Sequence, residues 1–186
     1  MLVVKADAYG HGAVAIAHHA VRAGVSALGV GTSAEALELR RAGLRVPILV
    51  LGTLLEDELV PCLLNDVEFG LHASDRARSL DREARQLGRV ARVHLNVDTG
   101  MGRLGVPPHL GLELLRVIVE SPNLELAGIM THLAPTSGAQ DDACAEQMER
   151  FKAVLREARE AGLGPAIDRA WVHAANSAAL FTGLTP

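Results

Sequence analysis

Seven short runs rich in Val, Ile and Leu recur along the chain, separated by amphipathic or alanine-rich stretches: LVVK (2–5), SALGV (26–30), PILVL (47–51), VEFGL (67–71), RVHLNV (92–97), LELAGIMTH (124–132) and AWVHA (170–174). Near-continuous apolar runs of this length are what strands buried on both faces look like. The stretches between them carry helix signals. Thr32 and Glu35 stand at capping-box spacing, and Gly43 closes that helix. Ser74 opens the next helix and Gly88 ends it, while Met148, Phe151 and Leu155 lie on one face of a long helix within residues 141–162. With no hairpin signal between strands, the rhythm predicts an all-parallel α/β fold, either a (β/α)8 barrel or a doubly wound sheet.

The residues at the strand ends favour the barrel. The first turn, KADAYGHG, lacks the G-x-G-x-x-G spacing of a dinucleotide site. Lys5, the stretch from Asp98 to Arg103, His132, and Asn176 with Ser177 all fall at C-terminal ends of strand runs. In a barrel those ends converge on one mouth, where active sites sit. A complete barrel takes about 250 residues. The expected architecture is therefore an incomplete parallel (β/α)8 TIM-type barrel of about seven strands, built by residues 1–186 as one unit.

Composition narrows the function classes. A net charge of −4 and a pI near 6.0 leave no electrostatic footprint for nucleic acid or an anionic membrane. Arginines interspersed with Asp and Glu, as in DRARSLDREARQLGR (75–89), read as solvated helix faces. Cys62 and Cys144 form no C-x-x-C pair and point to a reducing compartment. No apolar run reaches membrane-spanning length, and Met1 leads straight into a strand without a signal peptide, so a cytoplasmic location is expected. A chain that opens inside a strand is also expected to be part of a longer one. His18 and His19 are adjacent on a helix and no H-E-x-x-H occurs, so no metal is expected.

Lysine usage singles out one residue. The chain has two lysines, Lys5 and Lys152, against sixteen arginines, and Tyr9 is its one tyrosine. Where a plain positive charge is wanted, this sequence uses arginine. Lys5 is suited to what a guanidinium cannot do: lose a proton and attack a carbonyl. The glycines of NVDTGMGRLG (96–105) let the chain turn sharply after the fifth strand and bring Arg103 to the mouth, where it can hold a carboxylate or phenolate. His132 ends the sixth strand, and Asn176 with Ser177 can start a helix whose free N–H groups suit a phosphate. A lysine, a phenol, an arginine, a histidine and a phosphate-compatible helix start on one mouth together suit pyridoxal phosphate.

VVKADAYGHG (3–12) resembles the cofactor-lysine signature of the alanine racemase family, the barrel-fold class of pyridoxal-phosphate enzymes. NVDTGMGRLG, GIMTHLA (128–134) and HAANSAA (173–179) resemble further family blocks in the expected order, and the similarity runs over essentially the whole chain. The resemblance implies an isomerase that interconverts L- and D-alanine by a two-base mechanism. Lys5 would hold pyridoxal 5′-phosphate covalently and serve as one base. Tyr9 and Ser177 would contact its phosphate, with Asn176 beside them. Arg103 would bond the phenolic oxygen and help place the substrate carboxylate, and His132 would pack near the pyridine ring. The full-length enzyme is expected to be a homodimer.

The departures from the family pattern matter equally. Many members carry a lysine, often carbamylated, where this sequence has Asn96, which is expected to bond Arg103 without supplying a charge. The first part of the barrel domain, before the strand that leads to Lys5, is expected to be absent, as are the later phosphate loop, the arginine facing the pyridine nitrogen and the C-terminal β-domain with the second catalytic base. The reading is thus the central part of the N-terminal barrel domain. Its rivals are a non-catalytic pyridoxal-phosphate carrier and an inactive remnant or interaction subunit. Serine or another small amino acid remains open as the substrate. Because an amide cannot be carbamylated, activity reconstituted with this chain should be indifferent to bicarbonate through position 96; a carbamyl mass shift mapped to this strand would show that the motif is misaligned.

Overall fold

The computed structural model describes residues 1–134, 141–174, 176 and 177. Its seven strands are β1 (Leu2–Val3), β2 (Leu28–Val30), β3 (Ile48–Val50), β4 (Glu68–Leu71), β5 (Ala91–Val97), β6 (Leu124–Thr131) and β7 (Trp171–His173). They form one sheet in sequence order, and each neighbouring pair is parallel. Every predicted strand is present; six are shorter than their apolar runs, and β5 starts one residue earlier, at Ala91. The helices between them are α2 (Ala13–Arg22), α3 (Ser33–Arg41), α4 (Glu56–Leu64), α5 (Ser74–Gln86), α6 (Gly111–Glu120), α7 (Asp141–Ala158) and the short α8 (Gly164–Ile167). The remaining helical turn, α1 (Lys5–Gly10), is left-handed and belongs to the site described below. Sequential order with parallel pairing and a helix at each crossover is the topology of a curled, incomplete (β/α)8 barrel.

The two faces of the sheet differ in chemistry. Outward-facing Leu28, Val30, Ile48, Val50, Leu95 and Ile129 are buried in one cluster with helix residues such as Ala36, Leu39, Leu80, Ile118 and Phe151. Alternation then turns the intervening positions inward. The register places Gly70, His94 and Gly128 side by side, with Asn96, Met130 and His173 one layer above. A Cβ at Gly128 would stand 2.2 Å from His94 Nδ1, so glycine at that position leaves the slot for the imidazole. Most arginines do lie on helix surfaces, but Arg40 is buried: it donates to the carbonyls of Leu44, Val46, Asn65 and Asp66 at 2.8–2.9 Å and ties the end of α3 to the loops beneath the sheet.

A polar chain crosses this interior. His94, fully buried, has Nε2 2.9 Å from Glu68 Oε2 and Nδ1 2.9 Å from His173 Nε2. Arg92 Nη1 lies 3.0 Å from the other Glu68 oxygen. With both rings neutral, the order is determined: His173 Nε2–H donates to His94 Nδ1, and His94 Nε2–H donates to the carboxylate. Burial, then the His94 ring and the Met1 ammonium, push His173 down to about 4, against the opposing pull of Glu68. That the amino terminus of β1 acts on β7, at the opposite edge of the sheet, reflects the curl.

A histidine pushed down on folding binds its proton less readily in the native state, so acid favours the unfolded chain. Its contribution to stability is fully present above pH about 6.5, its ordinary value, and is lost as pH falls towards about 4. Denaturation midpoints measured across that window should decline, and decline less steeply in His173→Gln. A variant with the wild-type slope would show that another group sets it.

Candidate active site

Lys5 follows β1 and opens α1. Residues Ala6 to Tyr9 have φ of 51–56° and ψ of 37–52°, four consecutive non-glycine residues in the left-handed helical region. Each such residue costs roughly 1–2 kcal/mol, so a run of four persists only when its surroundings over-determine it. Several bonds do so. Ala8 N–H donates to Val4 O and Gly12 N–H to Asp7 O, both at 2.9 Å, and Asp7 Oδ1 accepts from Ala13 N–H at 2.7 Å at the start of α2. From a different element, Glu35 Oε1 accepts from Ala6 N–H at 2.7 Å. The Lys5 side chain is half-buried, beside Gly31, and makes no hydrogen bond or ion pair among the described residues. Tyr9, at the end of the turn, is 61% exposed, leaving its hydroxyl available to a ligand.

The loop after β5 doubles back on the strand. Asp98 Oδ1 accepts from Gly100 N–H at 3.0 Å and Gly102 N–H at 3.1 Å, and Val106 N–H returns to Asn96 O at 2.8 Å. Gly105 has φ of +128°, and a Cβ there would lie 2.5 Å from Asp98 N, so this return requires glycine. Burial alone would raise the Asp98 pKa, but the backbone N–H groups of Gly102, Gly100, Met101 and Arg103 outweigh it and hold the carboxyl below its ordinary value. The loop thereby carries Arg103 out to an exposed position, where its guanidinium has no partner among the described residues. Asn96 does not bond Arg103 as expected: its Oδ1 is buried without a hydrogen-bond partner among the described residues.

His132 leaves the end of β6. Desolvation lowers its pKa first, and the Arg103 and Lys5 cations lower it further. Both charges reach the His132 ring, so three of the predicted residues lie near one another at the mouth. Asn176 Nδ2 donates to Leu133 O at 2.9 Å, joining the end of β7 to the segment just after His132. Ser177 is exposed; Ala175 and residues 178–180 of that block lie outside the described residues, and with them the expected helix start. Neither Tyr9 nor Ser177 touches the other predicted residues through a hydrogen bond among those described.

Supporting groups, not singled out from the sequence, brace these loops. The Thr99 and Thr131 hydroxyls, both buried, lie 2.8 Å apart. From α7, Arg150 donates to Thr99 O and Gln147 accepts from Ala134 N–H, both at 2.9 Å. Among the described residues no group of three His, Cys, Asp or Glu side chains is placed to hold a metal ion, and no helix is long and apolar enough to cross a membrane. The donor set fits pyridoxal phosphate: an unpartnered amine for its aldehyde, a free guanidinium for an anionic oxygen, hydroxyls at Tyr9 and Ser177 for phosphate, and a buried amide oxygen at Asn96 still lacking a donor.

Comparison with known proteins bears on the same arrangement. Residues 1–185 match the family model for the N-terminal domain of alanine racemase. The chain is 44% identical over 184 residues to the alanine racemase of Symbiobacterium thermophilum, covering 97% of this chain and 47% of that protein. It is 39% identical over 181 residues to that of Methanococcus maripaludis, covering 97% of this chain and 48% of that protein. This chain thus spans about half the length of these relatives. The solved alanine racemase of Clostridium difficile 630 superposes with a TM-score of 0.89 at 32% identity, covering 96% of this chain and 46% of that one. A histidine racemase from Leuconostoc mesenteroides, 22% identical with a TM-score of 0.83, shares the fold. A family match over residues 1–185, on a barrel that gathers Lys5, Arg103 and His132 at one mouth, places this chain in the alanine racemase N-terminal domain family.

Proposed function

We propose that this chain is the cofactor-lysine part of the barrel domain of a pyridoxal-phosphate-dependent racemase acting on alanine. The observation that carries this reading is the convergence of Lys5, Arg103 and His132 at the barrel mouth, with the Lys5 amine and the Arg103 guanidinium free of protein partners among the described residues. When bound, pyridoxal phosphate supplies an electron sink that makes the α-proton of an amino acid acidic.

The chain's own residues do the rest. Lys5 Nζ would hold the cofactor covalently and would take or return the proton at the substrate Cα. Arg103 would bind the substrate carboxylate and an anionic oxygen of the cofactor. The Tyr9 and Ser177 hydroxyls hold the phosphate, with Asn176 fixing the segment beneath them through Leu133 O. His132, kept neutral by desolvation and two nearby cations, offers a flat uncharged ring beside the cofactor. Racemisation also needs a proton on the opposite face, which Tyr9 cannot supply while it holds phosphate. We assign that second base to a further domain contributed across a homodimer, since the relatives are about twice as long.

Borohydride treatment in the presence of pyridoxal phosphate should fix the label irreversibly on the peptide spanning residues 1–22. Label on Lys152 instead, or on neither lysine of a folded sample, would remove the assignment. Lys5→Arg should abolish labelling while keeping the charge.

The 186-residue chain by itself should not racemise alanine at an enzymatic rate. One missing acid–base group typically costs about 10² to 10⁴ in rate. The test assays both directions, with the chain alone and mixed with a separately expressed piece carrying the rest of a full-length relative. Turnover by the chain alone at the level of an intact relative would defeat the reading. Turnover only in the mixture supports it, whereas binding without turnover in either sample favours a carrier.

A further inference from the structure

The Lys5 side chain has no anchor among the described residues, so its direction comes from its backbone. That backbone passes directly into four left-handed residues. The bonds from Ala8 to Val4, from Gly12 to Asp7 and from Ala13 to Asp7 are all local to residues 4–13. They shape the turn and, through Ala13, join it to the start of α2. Strand pairing reaches as far as Val4, whose N–H donates to Gly29 O at 2.8 Å. Past that point, the hydrogen bond that ties the turn to the next βα unit is Ala6 N–H to Glu35 Oε1 at 2.7 Å.

Glu35 has a second task on its other oxygen. Oε2 accepts from Gly31 N–H at 2.7 Å and Thr32 N–H at 3.2 Å, while Glu35 N–H donates to Thr32 Oγ1 at 3.3 Å, the reciprocal capping box of α3. Gly31 also flanks the lysine stem, since a Cβ built there would lie 3.6 Å from Lys5 Cβ. A single carboxylate therefore holds the peptide after Lys5 with one oxygen and the wall beside its side chain with the other.

We propose that Glu35 is a positioning residue for Lys5, pinning the Ala6 amide so that the left-handed turn aims the amine into the barrel mouth. This deepens the reading of Lys5 as the cofactor-holding residue and rests on it. A capping box is served by Glu or Gln alike, because it needs one acceptor oxygen. The double role needs two, which an amide side chain lacks.

Glu35→Gln separates the two tasks. Hydrogen exchange should show the Ala6 amide exchanging at least about tenfold faster in Glu35→Gln, with the amides of α3 close to wild type. Trapping of pyridoxal phosphate on Lys5 by borohydride should slow in parallel. Thr32→Ala, which removes the other half of the box and leaves the Glu35 carboxylate in place, should loosen α3 without slowing trapping. Unchanged Ala6 exchange in Glu35→Gln, or an equal slowing of trapping in Thr32→Ala, overturns the proposal. If wild-type Lys5 traps no cofactor while Ala6 exchange still responds to Glu35→Gln, the brace stands and the reading of Lys5 falls.

Discussion

The hydrogen bond between Glu68 and His94 is the constraint around which the barrel interior is organised. A carboxylate placed inside a parallel sheet is costly to desolvate unless charge and donors offset the loss of water. Arg92 forms an ion pair with Oε1, which has no hydrogen-bond partner among the described residues, while His94 donates to Oε2 and must in turn find a donor for its remaining nitrogen. His173 supplies it from two strands away. Three strands, β4, β5 and β7, are thus held in relation by one line of polar atoms, and β6 runs between them with Gly128 where the imidazole needs room. Removing any one member would leave a neighbour buried without a partner, a larger loss than the net worth of the bond itself.

Above this layer the protein changes character. The strand ends carry loops whose polar atoms are tied to backbone rather than to one another. Asp98 collects N–H groups from its own loop, Thr99 meets Thr131, and α7 reaches over with Gln147 and Arg150. The consequence is that the mouth is braced from behind while Lys5 and Arg103, among the described residues, remain unpaired at its front. Free cations gathered at one site are unfavourable for stability and suit binding of an anionic ligand, the usual compromise at a functional site.

Much of this was legible in the sequence, for physical reasons. Strands covered on both faces leave long apolar runs, so all seven were visible, and the first was overrun because Lys5 closes the same run although strand pairing stops at Val4. Lys5, Arg103 and His132 were visible because strand C-termini of a barrel must converge. The interior relay was less visible. Its trace is the alternation Arg92, His94, Asn96 within β5, three polar residues on one face of an otherwise apolar strand, a pattern that a search for metal-ligand spacing passes over. Glu35 was readable as a cap from its spacing to Thr32, but its bond to Ala6 joins residues 29 apart and has no local signature. The left-handed turn was hidden for a related reason: KADAY contains no glycine, and its conformation is imposed from outside.

The scarcity of lysine gains meaning once the amines are located. Any aldehyde reaching this protein can react with an unprotonated, accessible amine, and a chain that used lysine for its surface charge would present many. Here the surface charge is carried by arginine, whose guanidinium does not undergo that reaction. The second lysine, Lys152, sits on α7 with its ammonium 3.3 Å from Glu149, engaged in an ion pair. Among the described residues Lys5 has no such partner. Composition and ion pairing therefore act in the same direction, leaving one lysine amine at the barrel mouth unengaged by the chain's own carboxylates.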